Sequence, residues 1–93
     1  KMMAEVLELF GTSVLTSRET HVIHLILKGY SAKSIAEHLD ISINTVKLHR
    51  KNAYAKLDIS SQSELFHLFI DSLSCLDEDY TRDSLVMYLQ VPG

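Results

Sequence analysis

Apolar residues recur at intervals of three and four along most of the chain, which is the spacing that gives a helix one apolar face. The pattern predicts a short helix over residues 2–10, followed by helices over 16–28, 32–39 and about 43–57. A fifth helix is predicted from about residue 62 to residue 73. These elements together predict an all-α fold.

Capping residues mark the boundaries of these helices. Two capping boxes, Thr16–Glu19 and Ser61–Glu64, have a hydroxyl residue followed three positions later by Glu. Ser31 and Ser42 stand at the N-cap positions of the helices between them. Gly29 stands where a left-handed residue ends a helix. Within residues 15–74 the chain therefore has four capped helices, named here the first to the fourth helix of that segment.

The second and third of these helices are short, are joined by only three residues, and differ in charge. From Asn44 to Lys56 there are four Lys/Arg residues and no Asp or Glu, although the net charge of the whole chain is −3. Two short helices joined in this way, with the second one basic, are typical of a helix-turn-helix. The pattern predicts that the third helix meets a polyanion.

A helical wheel of the third helix separates a buried stripe from an outward face. Val46, Ala53 and Leu57 form the stripe, and the opposite arc holds Asn44, Lys47, Leu48 and Lys51. A major groove of DNA admits one helix, where lysine can donate to guanine and leucine can pack on a thymine methyl group. Thr45 near the helix start, and His49 and Lys56 beside the stripe, are candidates for contacts with phosphate. The stem of Arg50 is expected to pack beside the stripe.

The fourth helix is apolar over a wider arc than one core requires. Its large apolar residues span roughly 200°, against the ~100° stripe of a helix that packs on a single core. We therefore expect part of this face to contact a second partner. This face also supports an alternative function, in which the chain is a protein-interaction module and the basic helix is only solvated.

Length and composition limit the possible functions. Ninety-three residues suit one domain, and the single cysteine, Cys75, excludes an intrachain disulfide. Neither a signal peptide nor a membrane span is apparent, so we expect a cytoplasmic protein. No Gly-rich phosphate loop or nucleophile elbow supports an enzyme, and we expect no cofactor. His21 and His24 are one turn apart but lack further ligands, so we expect them to be exposed and no metal to bind.

The chain divides into three segments. Residues 1–14 are interpreted as a connector helix, residues 15–74 as the helix-turn-helix domain, and residues 75–93 as an acidic tail with a net charge of −3. Within the tail, the apolar segment 84–91 fits either a helix or a strand.

Residues 15 to about 74 resemble the LuxR/GerE-type helix-turn-helix domain of bacterial transcription regulators. The matching elements follow the order and spacing of that family: Leu15–Glu19, Gly29–Ala36, Leu39–His49 and Ala55–Leu57. The chain departs from the family in having Ser34 where Glu is frequent and Asp58 where Gly is common.

The resemblance implies a four-helix domain whose third helix reads the major groove. Its base-facing residues are then Lys47, Leu48 and Lys51, with Asn44 beside them. The implied phosphate contacts are Lys33, Thr45 and His49, to which Ser31 and Lys56 are added. The resemblance also implies a homodimer on an inverted repeat, formed through the fourth helix, whose apolar candidates are Leu65, Phe66, Phe69, Ile70 and Leu73. Members of this family usually carry an upstream regulatory domain, so we expect the chain to be an output domain.

Overall fold

The described part of the computed structural model comprises residues 2–73 and 83–90, and within it all regular structure is α-helical. The helices are α1 (Met2–Leu9), α2 (Ser17–Leu27), α3 (Ala32–Leu39), α4 (Ile43–Leu57), α5 (Gln62–Leu73) and α6 (Ser84–Gln90). The all-α prediction is therefore confirmed, and the apolar segment of the tail forms a helix. Cys75 and most of the acidic run of the tail lie outside the described residues.

The predicted N-terminal caps of α2, α3 and α4 are present. The Thr16 hydroxyl accepts the Glu19 N–H at 3.2 Å, and the Glu19 carboxylate accepts the Thr16 N–H at 3.0 Å, so this capping box is complete. The hydroxyls of Ser31 and Ser42 each accept the N–H of the third helical residue, at 3.1 and 3.0 Å. These bonds use backbone donors that have no partner inside a helix.

The capping box before α5 is formed only in part. The Ser61 hydroxyl accepts the Glu64 N–H at 3.1 Å, as predicted. The Glu64 carboxylate, however, accepts the N–H of Ser60, one residue before the position that the box requires. The second capping box therefore satisfies two backbone donors, but not by the predicted reciprocal pair.

Helices α2, α3 and α4 pack around one core, which α5 closes. Val22 and Ile23 from α2, Ile35 from α3, Val46 from α4 and Leu65 from α5 have no exposed surface. Apolar burial of this kind is the main favourable contribution to folding. It also fixes the position of α4, because Val46 and Ala53 hold the inner side of that helix in the core.

The N-terminal helix is part of this same core. Val6 and Phe10 are 2% and 0% exposed, and the Phe10 ring meets Phe69 of α5 edge-on with a centroid distance of 5.1 Å. Such edge-to-face pairs are favourable for aromatic rings. The segment predicted as a connector therefore packs against the helix-turn-helix domain.

Asp83, immediately before α6, ties the C-terminal helix to the loop after α1. Its carboxylate accepts the N–H groups of Gly11 at 2.9 Å, Ser13 at 3.1 Å and Leu85 at 2.9 Å. The hydroxyl of Ser84 lies 3.0 Å from that of Ser72 on α5, and both residues are fully buried. Residues 83–90 thus complete the side of the domain formed by α1 and α5.

The prediction that His24 is exposed is wrong. His24 is 6% exposed, and its Nε2–H donates to the Phe10 carbonyl oxygen at 2.7 Å. The end of α1 covers this side of α2, which a wheel of α2 alone does not show. Burial lowers the pKa of His24, because the charged imidazolium is less well solvated there. His21, one turn earlier, is exposed as predicted.

Candidate nucleic-acid interface

The turn between α3 and α4 sets the angle between these two helices. Asp40 is in the left-handed region with φ 56°, and the Ile41 N–H donates to the Ala36 carbonyl oxygen at 3.0 Å. Ser42 then caps α4. These local bonds and the buried Val46 set the two helices in the helix-turn-helix arrangement that the sequence predicts.

The outward face of α4 carries the four predicted base-facing residues. Asn44, Lys47, Leu48 and Lys51 are all exposed, and Lys47 and Lys51 are one turn apart on the same side. Leu48, between the two lysines in sequence, is 54% exposed. The face therefore offers two ammonium groups, an amide and one apolar contact in a single strip.

Three of the predicted phosphate contacts, Ser31, Lys33 and Thr45, lie at the starts of α3 and α4, and His49 lies in the middle of α4. Ser31 and Lys33 are exposed, whereas Thr45 and His49 are half-buried. The Thr45 hydroxyl lies 2.8 Å from that of Ser42, so both hydroxyls belong to the cap of α4. Backbone N–H groups at the start of a helix and a nearby hydroxyl suit an anionic oxygen.

Lys56, the remaining predicted phosphate contact, is paired with a buried carboxylate of the same domain. Its ammonium donates to the Glu19 carboxylate at 2.7 Å, and the exposed fractions of the two side chains are 42% and 6%. The hydrogen bond from Lys56 is the main cause that lowers the pKa of Glu19. The sequence identifies Glu19 only as a cap, since nothing local indicates its partner 37 residues away.

A concave strip runs from the middle of α4 to the start of α5. It is lined by Lys47, Arg50, Lys51 and Tyr54 on one side and by residues 59–62 on the other. Arg50 is half-buried, in agreement with the expectation that its stem packs. Three cationic side chains thus line one side of this strip, which is continuous with the outward face of α4.

The structure divides the apolar arc of α5 into a core half and an outer half. Leu65 and Phe69 are 0% and 7% exposed, so the prediction that they lie at a subunit interface is wrong. Their side chains are enclosed by the subunit itself, with Phe69 against Phe10. Ile70 is 57% exposed and Phe66 is half-buried, and both line a shallow surface groove. Leu73 is half-buried and packs against the core.

Comparison with known proteins places this arrangement in a family. The model of the family described as bacterial regulatory proteins, luxR family (GerE), matches residues 13–69. The chain belongs to the LuxR family. The matched residues comprise α2 to α4 and most of α5, which include every predicted base-facing residue.

The relatives are regulators and are longer than the part that matches. An Aeromonas salmonicida protein that bears the name HTH-type transcriptional regulator in exeN 3′ region is 46% identical over 63 residues, which are 68% of this chain and 32% of that protein. The HTH-type transcriptional regulator MalT of Klebsiella pneumoniae (strain 342) is 45% identical over 60 residues, which are 64% of this chain and 7% of MalT. MalT of Vibrio parahaemolyticus is 46% identical over 57 residues, 61% of this chain and 6% of MalT. No solved structure gives a significant match.

Family membership makes the chain a DNA-binding domain of the kind found in transcription regulators. The chain spans about a third of the Aeromonas relative and less than a tenth of the MalT proteins. Among the described helices, none is both long and apolar enough to cross a membrane.

Proposed function

We propose that this chain is the sequence-specific DNA-binding output domain of a bacterial transcription regulator, with α4 in the major groove. One observation carries the proposal: the face of α4 opposite its buried stripe exposes Lys47, Leu48 and Lys51 together. This face is the side of α4 that the core leaves free, and it combines two ammonium groups with an apolar side chain. A helix in a groove uses such a residue against a thymine methyl group.

In this proposal the outward face of α4 reads the bases. Lys47 and Lys51, on successive turns of α4, donate to O6 and N7 of guanine bases. Leu48 packs between them on a thymine methyl group. Asn44, at the start of the same face, donates and accepts at the first base pair. Each well-placed pair contributes about 1–3 kcal/mol of discrimination between bases.

Phosphate contacts orient the domain on the duplex. We assign Lys33, Ser31 and the N-terminal turn of α4 with Thr45 to the phosphates on one side of the groove, and His49 to the backbone beside it. Such contacts supply most of the affinity without distinguishing sequences.

Lys56 has a smaller role in this proposal because Glu19 already neutralises it. The slope of log K against log salt changes by about 0.9 for each phosphate contact on duplex DNA. If the ion pair persists on DNA, Lys56→Met will leave this slope unchanged. If Lys56 transfers to a phosphate, the slope will flatten by about 0.9.

Two subunits on an inverted repeat complete the proposal. The outer half of α5, with Phe66 and Ile70, supplies an apolar contact that the subunit itself leaves uncovered. A symmetric pair places its two α4 helices about 34 Å apart, one helical turn of DNA. Ile70→Glu should weaken dimer formation and keep the fold, because that side chain is outside the core.

The larger protein is also part of the proposal. The matched segment is a minor part of each relative, so we propose that a regulatory domain precedes α1 and that the whole regulator acts in the cytoplasm. The alternative, a protein-interaction module, is favoured by Ile70 and Phe66 on the outer half of α5. It predicts that affinity for duplex DNA is absent or does not respond to salt.

Selection of bound sites from random duplex DNA, followed by quantitative gel shifts, tests the proposal. Lys47→Ala and Lys51→Ala should each weaken the selected site by about 1–3 kcal/mol and relax preference at one position. Lys33→Ala should weaken all sequences equally. Lys28→Ala is the matched control, because that exposed lysine lies at the end of α2 and pairs with Glu8. Unchanged affinity and base preference for Lys51→Ala would refute the groove assignment.

A further inference from the structure

Arg50 and Tyr54 have no role in the assignment of α4 to the major groove. They are one turn apart on the side of α4 that is next to the start of α5, and both are half-buried. Together with Lys47 and Lys51 they line one side of the concave strip, and residues 59–62 line the other. Among its described lining residues there is no Asp or Glu. The concave strip is therefore a cationic groove beside the base-facing surface.

The polar groups on the α4 side of the concave strip are not used inside the protein. Within the described part of the chain, no hydrogen bond or ion pair engages the Arg50 guanidinium or the Tyr54 hydroxyl, and the same holds for the ammonium groups of Lys47 and Lys51. Lys56, by contrast, is paired within the domain. A guanidinium carries five N–H donors, and here all of them are available to an external acceptor.

The surroundings of Tyr54 keep its hydroxyl protonated. Burial raises the pKa of Tyr54, and the positive charge of Arg50 opposes this rise only in part. The phenol is therefore an O–H donor at neutral pH. Its ring packs against the core, so the fold sets the position of this donor. Arg50 and Tyr54 thus bring hydrogen-bond donors and positive charge to the same side of the concave strip.

We infer that the concave strip holds a phosphate of the DNA strand that borders the major groove, with Arg50 and Tyr54 as its donors. The inference rests on the proposed function, because it assumes that α4 lies in that groove. The oxygens of a phosphodiester only accept hydrogen bonds, so a lining of donors without carboxylates complements them. A guanidinium matches two phosphate oxygens at once, whereas a lysine ammonium acts as a point charge.

The dimensions of a helix in the major groove bring its flanks to the DNA backbone. A helix with its side chains is about 10–12 Å across, and the groove is about 12 Å wide. At 100° per residue, Tyr54 and Arg50 lie roughly 70° and 110° from the centre of the base-facing arc. They are therefore on the flank that meets the sugar-phosphate wall, and not on the arc that meets the bases.

The opposite side of the concave strip adds a neutral donor and places the phosphate near α4. The Ser61 hydroxyl accepts the Glu64 N–H at 3.1 Å, which leaves its own proton free to donate. The Glu64 carboxylate accepts bonds from the N–H and the hydroxyl of Ser60. Because this carboxylate repels an anion, the phosphate lies closer to Arg50 than to Ser60.

Gel shifts on the selected duplex over a series of salt concentrations test the inference. We expect Arg50→Gln to weaken binding about 10- to 100-fold, the loss for a hydrogen bond to a charged group. The slope of log K against log salt should flatten by about 0.9, the value for one phosphate. Arg50→Lys should keep the slope, since the charge remains, but weaken binding, since the fork is lost. Arg18→Gln, at an exposed arginine on the first turn of α2, is the matched control and should change neither quantity.

Tyr54→Phe removes the hydroxyl and keeps the ring that packs against the core. We expect binding about 3- to 10-fold weaker, with the salt slope unchanged because no charge is lost. Thermal unfolding followed by circular dichroism checks that Arg50→Gln and Tyr54→Phe are folded at the temperature of the gel shifts.

Methylphosphonates, which are neutral replacements for single phosphates of the duplex, locate the contact without changing the protein. At one backbone position beside the site, this replacement should weaken the wild-type chain about as much as Arg50→Gln does. It should weaken Arg50→Gln no further, because the two changes remove the same contact. Lys47→Ala should still lose affinity at that position, as the wild-type chain does.

The outcomes separate this inference from the proposed function. An unchanged salt slope in Arg50→Gln would overturn the inference, as would equal losses for wild type and Arg50→Gln at every methylphosphonate. The groove assignment stands in both cases if Lys47→Ala relaxes base preference. A changed base preference in Arg50→Gln at constant slope would assign Arg50 to a base edge and also overturn the inference. If the wild-type chain binds no duplex DNA, the proposed function fails, and the inference fails with it.

Discussion

The ion pair between Glu19 and Lys56 supplies the sharpest test of how α4 is held in the domain. Glu19 is at the third position of α2, and its carboxylate accepts both the Thr16 N–H and the Lys56 ammonium. Glu19→Gln keeps the size of the side chain and an oxygen for the Thr16 N–H. It removes only the charge opposite Lys56, which is on the last turn of α4.

The exposure of the two side chains sets how much folding stability Glu19→Gln removes. Removing one partner of a fully buried ion pair costs about 3–5 kcal/mol, because the other charge stays buried and unpaired. Here the Glu19 side chain is 6% exposed, but that of Lys56 is 42% exposed, so water can solvate the released ammonium. We therefore expect Glu19→Gln to lower the free energy of unfolding by about 1.5–3 kcal/mol, the range for a hydrogen bond to a charged group.

Because Glu19 is titratable, the stability lost in Glu19→Gln depends on pH. Lys56 lowers the pKa of Glu19 in the folded state below its ordinary value of 4.5. The contribution is therefore fully present above that ordinary value and disappears as the pH falls through the lower folded-state pKa. The difference in unfolding free energy between wild type and Glu19→Gln should be constant from neutral pH down to about 4.5 and shrink below that value.

Urea unfolding at a series of pH values measures both effects. A double-mutant cycle with Lys56→Met isolates the pair from the cap, because the cap is intact in Lys56→Met. A coupling energy near zero, or a Glu19→Gln loss that does not change with pH, would refute the assignment of the pair as a link between α2 and α4.

Three further predictions follow from buried or constrained groups. Burial lowers the pKa of His24, so the unfolded state binds more protons below about pH 6.5 and wild-type stability should fall there. His24→Asn should remove this fall in urea unfolding between about pH 7.5 and 5.5. Asp83→Ala leaves the buried Gly11 N–H without its acceptor, and calorimetry should show a loss of at least about 2 kcal/mol, with Asp83→Asn losing less. Asp58→Gly removes strain at φ 57° and should raise stability by about 0.5–1 kcal/mol without changing DNA affinity.

The features that the sequence predicted correctly are those fixed by neighbouring residues. The caps at Thr16, Ser31 and Ser42 join atoms three residues apart, so their spacing alone indicates where α2, α3 and α4 begin. The buried stripe of α4 follows from helical periodicity in the same way. Together these local rules define the helix-turn-helix and the outward face of α4.

The features that the sequence missed depend on distant partners. The buried position of His24 depends on Phe10. The Asp83 carboxylate accepts hydrogen bonds from backbone N–H groups 70 and 72 residues away. The wheel of α5 gave the width of the apolar arc but not which part faces Phe10, so Leu65 and Phe69 were assigned to the wrong side. No pattern within one helix contains this information, because the partner is on another helix.

A count of the four cations of α4 does not predict which of them are free to contact DNA. The sequence counts them equally, whereas the structure gives them different partners. Lys47 and Lys51 face outward, Arg50 is half-buried along the concave strip, and Lys56 is neutralised by Glu19. Only charges that are free to displace counterions contribute to the salt dependence of DNA binding. The slope of log K against log salt should therefore be shallower than four cations imply, because Lys56, although it lies on α4, is paired with Glu19 and helps to hold this helix on α2.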